Sequence, residues 1–108
     1  MTDSILLSLL LPGTSARELD EEIHEMKQLA LTMGYNIQSC IVQKKNTIDS
    51  STYFGKGKIN SVVNQCKELR YNTLFINDEL KPGYFKRIQK IAGEKILIID
   101  RTKLILDI

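Results

Sequence analysis

Apolar residues in this chain fall into short near-continuous runs, separated by longer stretches in which they recur every three or four positions. The runs are Ile5–Leu11, broken once by Ser8; Ile37–Gln43, centred on Cys40, Ile41 and Val42; Thr73–Asn77; and Ile96–Ile99. Unbroken apolar character predicts strands covered on both faces, as in a parallel sheet. Between them lie helical stripes. Ala16, Leu19, Ile23, Met26, Ala30 and Met33 form the first, with Glu21, Glu22, Glu25 and Lys27 away from it. Ser15 and Glu18 fit a capping box at its start, and Gly34 suits its end. Ile59, Val62, Val63, Cys66 and Leu69 predict a second helix, with the chain turning at Tyr71 or Asn72. Pro82 suits the first turn of a third, whose apolar face is Phe85, Ile88 and Ile91 before Gly93. Asp100–Lys103 then interrupts, and Leu104–Ile108 reads as a fifth apolar segment.

The predicted order is βαβαβαβ plus an apolar tail. It implies an α/β fold: a small open parallel four-stranded sheet with helices on both faces; the pattern does not fix the strand order, for which 2-1-3-4 is a guess. Ligands of such sheets meet the loops at the carboxyl ends of the strands. That rim collects Gly13 and Thr14, the loop 44–58, Asn77, Asp78 and Glu79, and Asp100, Arg101 and Thr102. The polar loop 44–58 reads as the longest unstructured connection, and long loops in small domains are often functional.

With 108 residues there is room for one hydrophobic core, and a chain this long buries roughly two thirds of its unfolded surface without needing a staple. Two cysteines and one histidine, His24, are too few for a disulfide framework or a zinc site. Cys40 in a strand and Cys66 on a helix stripe read as small core hydrophobes, and His24 as a surface residue. No apolar run is long enough to span a membrane, and no basic residue precedes the first one as in a secretory signal. A reducing, cytoplasmic setting is expected.

The net charge of +2 hides an asymmetry: residues 1–55 hold four basic and seven acidic side chains, residues 56–108 eleven basic and six acidic. A positive half suits a polyanion, because neutralising phosphates releases their counterions. Lysines that merely solvate helix faces would give the same count.

Gly55-Lys56-Gly57-Lys58 enters the second helix with two glycines and two lysines. Such a turn can bring backbone amides and positive charge to a phosphate. It is neither a Walker loop, since Ile59 stands where a hydroxyl would hold magnesium, nor a dinucleotide fingerprint, since Asn60 replaces the third glycine. A flexible turn feeding a helix is the plainer reading. Lys86, Arg87 and Lys90, with Lys81 before them, give the third helix a basic side opposite Ile88 and Ile91, and together with Lys56 and Lys58 this could contact an RNA backbone. Tyr53, Phe54, Tyr71, Tyr84 and Phe85 lie nearby, where exposed rings could stack on bases, although Phe85 and Phe54 suit the core better. Asp78, Glu79, Asp100 and Arg101 could be drawn as an acid–base or magnesium cluster, but helix capping and ion pairing explain them more simply. No nucleophile and base pair stands out, so no catalytic residue and no metal ligand is assigned.

Four segments in this order resemble the amino-terminal domain of HflX-type GTPases: Leu19-Asp20-Glu21; Tyr53-Phe54-Gly55-Lys56-Gly57-Lys58-Ile59; Phe75-Ile76-Asn77-Asp78-Glu79-Leu80; and Ile99-Asp100-Arg101-Thr102-Lys103 running into Leu104–Ile108. The likeness spans nearly all of 1–108. It departs at Lys81-Pro82-Gly83-Tyr84, where the family usually has Ser-Pro-x-Gln. The resemblance implies an isolated domain, with a helical hairpin and a G domain following it in the full-length protein. GTP and Mg²⁺ are then expected on that G domain, and no cofactor on this chain. It also implies large (50S) ribosomal subunit and 23S rRNA partners, contact with the G domain, and a role in splitting or rescuing stalled ribosomes under stress. An alternative is that the rim itself binds ATP or GTP, with weak or no hydrolysis.

Overall fold

Strand β1 (Thr2–Leu10) runs through the middle of the molecule, and the rest of the chain is wound on either side of it. The computed structural model describes residues 1–107, with α1 over Ala16–Thr32, β2 over Tyr35–Lys44, α2 over Lys56–Leu69, β3 over Thr73–Ile76, α3 over Pro82–Ala92, β4 over Leu97–Ile99 and α4 over Arg101–Asp107. All strand pairings are parallel, and the order is β2-β1-β3-β4, the α/β arrangement the sequence predicts.

Alternate residues of β1 feed two separate cores, because successive side chains of a strand point to opposite faces. Ile5, Leu7 and Leu9 pack with Ile59, Val62, Val63 and Cys66 of α2 and Ile88 and Ala92 of α3. Leu6 packs on the other face with Leu19, Ile23, Met26 and Ala30 of α1 and Leu104 of α4. Burial of the leucine, isoleucine, valine and methionine side chains among these is worth about 1.5–3 kcal/mol each, an upper bound because real unfolded chains are already partly compact. α1 begins as its sequence predicts: Ser15 Oγ accepts from the Glu18 amide at 3.1 Å. After it the chain turns at Gly34, where φ is +87°.

Four local readings are corrected. Residues 104–107, read as an apolar tail after the last strand, belong to α4, which Asp100 caps: its Oδ1 accepts from the Lys103 amide at 2.8 Å. Ile108 lies outside the described residues. α2 ends one residue before the expected turn, at Arg70, which takes the left-handed conformation with φ 60°. Cys40 is only half-buried and Val42 is exposed, because β2 is an edge strand that pairs with β1 alone. Finally, part of the loop before α2 is ordered: Asp49 and Tyr53 exchange backbone hydrogen bonds of 2.9 and 3.1 Å, and Phe54 is fully buried.

Candidate nucleic-acid interface

The turn 49–55 is built around one carboxylate. Asp49 Oδ1 accepts from the amides of Ser51 and Thr52, each at 2.9 Å, and those bonds hold its pKa below the usual value. Tyr53 is then forced to φ 69°, a conformation that disfavours any residue with a side chain, and Gly55 follows at φ 92°. Phe54, buried between them, fixes the turn to the core. The start of α2 has no side-chain cap, and a Cβ at Gly55 would stand 3.8 Å from Lys45 Nζ. Lys45 was not picked out from the sequence; its position at the mouth of the loop, just beyond β2, is the signal that could have found it.

Of the basic residues read from the sequence, Lys56, Arg87 and Lys90 come together. They line a groove of about 470 Å³ between the start of α2 and α3, with Ser51, Thr52, Asn60 and Ile91. No carboxylate lines it, and among the described residues no salt bridge engages Lys56, Lys58, Lys86, Arg87 or Lys90. Three unpaired cations around a concave surface attract a polyanion. Lys58 is half-buried and does not line this groove, whereas Lys86 faces a neighbouring apolar one of about 740 Å³ with Phe85, Gln89 and Leu97. Gly57 has open space around it, so only Gly55 of the two glycines needs its freedom.

The aromatic residues expected to stack on bases are mostly spent within the fold. Tyr53 packs edge-on against Phe54 and Tyr84, with ring centroids 5.1 and 5.6 Å apart. Phe85 and Tyr71 pack against the core. Tyr84 in turn carries the Arg87 guanidinium 5.7 Å above its ring.

The rim residues form a second, internal set. Asn77 is buried, donates to Ser8 Oγ at 3.1 Å and accepts from Arg101 Nη1 at 3.1 Å, while Arg101 Nη2 lies 3.9 Å from Glu25. Asp100 is buried as well and accepts from Leu80 and Lys103 amides, joining the turn after β3 to the start of α4. Asp78 stands next to this network. Burial, and then the nearby Glu22, push its carboxyl up to about 6, with the Tyr53 hydroxyl and Arg101 opposing. Burial also raises the Tyr53 phenol to about 12. Glu79 and Thr102 are exposed. Asp100 and Arg101 thus have structural partners within the chain. Among the described residues, no three His, Cys, Asp or Glu side chains are grouped to hold a metal. No helix among them is long and apolar enough to cross a membrane.

Residues 20–108 match a family described as "GTP-binding GTPase N-terminal". The chain belongs to this family of HflX amino-terminal domains. Curated members similar to it are the GTPases HflX of Alkalihalophilus pseudofirmus, 37% identical over 84% of the chain, and of Caldanaerobacter subterraneus subsp. tengcongensis, 35% identical over 94%. The chain spans 21% and 23% of those two HflX proteins. Among solved structures it is similar in fold to SsGBP in its GDP complex, at 21% identity and a TM-score of 0.72, covering 99% of this chain and 28% of that one. A GTP-binding protein of the archaeon Sulfolobus solfataricus, also in complex with GDP, gives 22% identity and a TM-score of 0.68 over 99% of this chain and 30% of that one.

Proposed function

We propose that this HflX amino-terminal domain is a non-catalytic ribosome-binding module, which docks on the large subunit by laying 23S rRNA backbone across the groove between α2 and α3. The observation that carries the reading is the convergence of Lys56, Arg87 and Lys90 on one concave surface that no carboxylate neutralises. Lys45 beside Gly55 adds positive charge near the start of α2, whereas the adjoining surface holds Glu94 as well as Lys86. Phosphate contacts of this kind give affinity without reading sequence. In the full-length protein the domain would support splitting or rescue of stalled cytoplasmic ribosomes and bear on its own G domain.

GTP and Mg²⁺ do not fit residues 55–59. Ile59 occupies the place of a magnesium-holding hydroxyl and is fully buried among Val62, Val63 and Phe54. On this reading GTP hydrolysis belongs to the G domain of the full-length protein, and the proposed role of this domain is binding.

The test is binding of the 108-residue chain to purified large subunits across a salt series, for wild type and for Lys56→Gln and Lys90→Gln. Salt-dependent binding that weakens in both variants supports the reading, and salt-independent or absent binding defeats it. The alternative, ATP or GTP bound by this domain at the rim of strand ends, is separated by calorimetry with each nucleotide.

A further inference from the structure

Gly83 is the second residue of α3, and its backbone gives no reason for glycine: the positive-φ glycines are Gly13, Gly34, Gly55 and Gly93. Alanine is the better helix former at such a position. What a side chain there would meet is Arg87. A Cβ on residue 83 would fall 3.2 Å from Arg87 Nη2, 3.5 Å from Nη1 and 3.6 Å from Cζ. The guanidinium therefore rests over the bare Cα of Gly83.

Arg87 is exposed, and two further contacts touch its guanidinium. Its Nε donates to the Ser51 carbonyl, in the turn that Asp49 organises. Its carbon lies 5.7 Å from the centre of the Tyr84 ring, which is braced edge-on by Tyr53. The two terminal nitrogens have no hydrogen-bond partner among the described residues, and Arg87 lines the groove beside Lys56 and Lys90. Long cationic side chains ordinarily lose much rotamer freedom on binding, and a guanidinium already fixed in place loses less.

Resting on the RNA-facing reading of this groove, we propose that Arg87 is a preset two-pronged anchor for one phosphodiester of an RNA strand, with Gly83 kept small to seat it. Lys56 and Lys90 then act as flanking point charges whose geometry matters little. A planar fork matches two phosphate oxygens at once, which an ammonium cannot do.

The proposal separates geometry from charge, and two variants that leave the charge intact test it. Arg87→Lys and Gly83→Ala are compared with Lys56→Gln in binding to purified large subunits across a salt series. Both charge-neutral variants are expected to weaken binding about five- to tenfold, with the salt slope unchanged. Gly83→Ala should also retain or raise the melting temperature, so that its loss of binding is not a loss of fold. Lys56→Gln should lower both affinity and slope.

If Arg87→Lys and Gly83→Ala bind like wild type while Lys56→Gln is weakened, the anchor is overturned and the basic groove stands. If Lys56→Gln is also unaffected, the RNA-facing reading itself fails. Losses confined to ATP or GTP binding, with subunit binding intact, overturn the assignment to RNA.

Discussion

Gln89 on α3 pairs with the backbone of Ile98 on β4: the Ile98 amide donates to Gln89 Oε1 at 2.9 Å, and Gln89 Nε2 donates back to the Ile96 carbonyl at 2.7 Å. A third bond runs from Nε2 to the Gly93 carbonyl at 3.0 Å. The side-chain amide thereby takes the place of a neighbouring strand along the outer edge of β4, where unpaired backbone groups would otherwise invite another chain. Gln89→Ala leaves these groups without their partner and should cost about 1–3 kcal/mol. Chemical denaturation measures the loss, and sedimentation at rising concentration should show self-association that the wild type lacks. Unchanged stability and mass would remove Gln89 from this role.

Asp78 makes stability fall with rising pH over a defined window. Its carboxyl is raised from 3.8 to about 6 by burial and by Glu22, so between those values the folded state binds more protons than the unfolded chain. The uncharged form stabilises the fold fully below about 4, and that contribution is lost as pH passes about 6. Asp49 has the opposite sign: its pKa is lowered by the Thr52 and Ser51 amides, and its contribution disappears as pH falls through its folded value. Asp78→Asn should therefore raise the melting temperature at pH 7.5 by about 4 °C or more and have little effect at pH 4. Equal shifts at both pH values would show that Asp78 carries no such penalty.

Phe54 ties the turn that carries Ser51 and Thr52 to the core formed by α2 and α3. Phe54→Ala should cost about 3–5 kcal/mol, a large share of the stability of a domain this size. Phe54→Leu is the milder form, and its expected loss is about 1 kcal/mol. Thermal melts measure both, and hydrogen exchange should show the amides of residues 49–55 losing protection before those of β1. Uniform loss of protection would mean that the turn is not held by this ring.

The parallel sheet with helices on both faces was readable because β1 and β3 are apolar on both faces and the helix stripes between strands are regular, whereas the strand order β2-β1-β3-β4 is set by which strands pair, which no run of residues records. α4 was not. Leu104-Ile105-Leu106 is as suitable for a strand as for a helix, and the decision rests on Asp100, whose carboxylate caps the helix from a position the sequence pattern assigns only to a loop. The loop 44–58 looked unstructured because its order comes from one aspartate accepting backbone amides and from one buried ring, neither of which has a period. At the groove, the spacing of Lys86, Arg87 and Lys90 on one helix was legible. That Arg87 lines one groove with Lys56, Lys86 the adjoining one, and Lys90 both, depends on how α3 packs beside α2, which no single helix records.

The most direct measurement is the salt dependence of binding between the 108-residue chain and purified large ribosomal subunits, for the wild type and for the combined Lys56→Gln, Arg87→Gln, Lys90→Gln variant. The wild type should bind with a steep negative dependence on salt, and the variant should lose most of its affinity and about one from the slope for each charge removed. A variant with wild-type affinity and slope would contradict the RNA-facing reading of the groove.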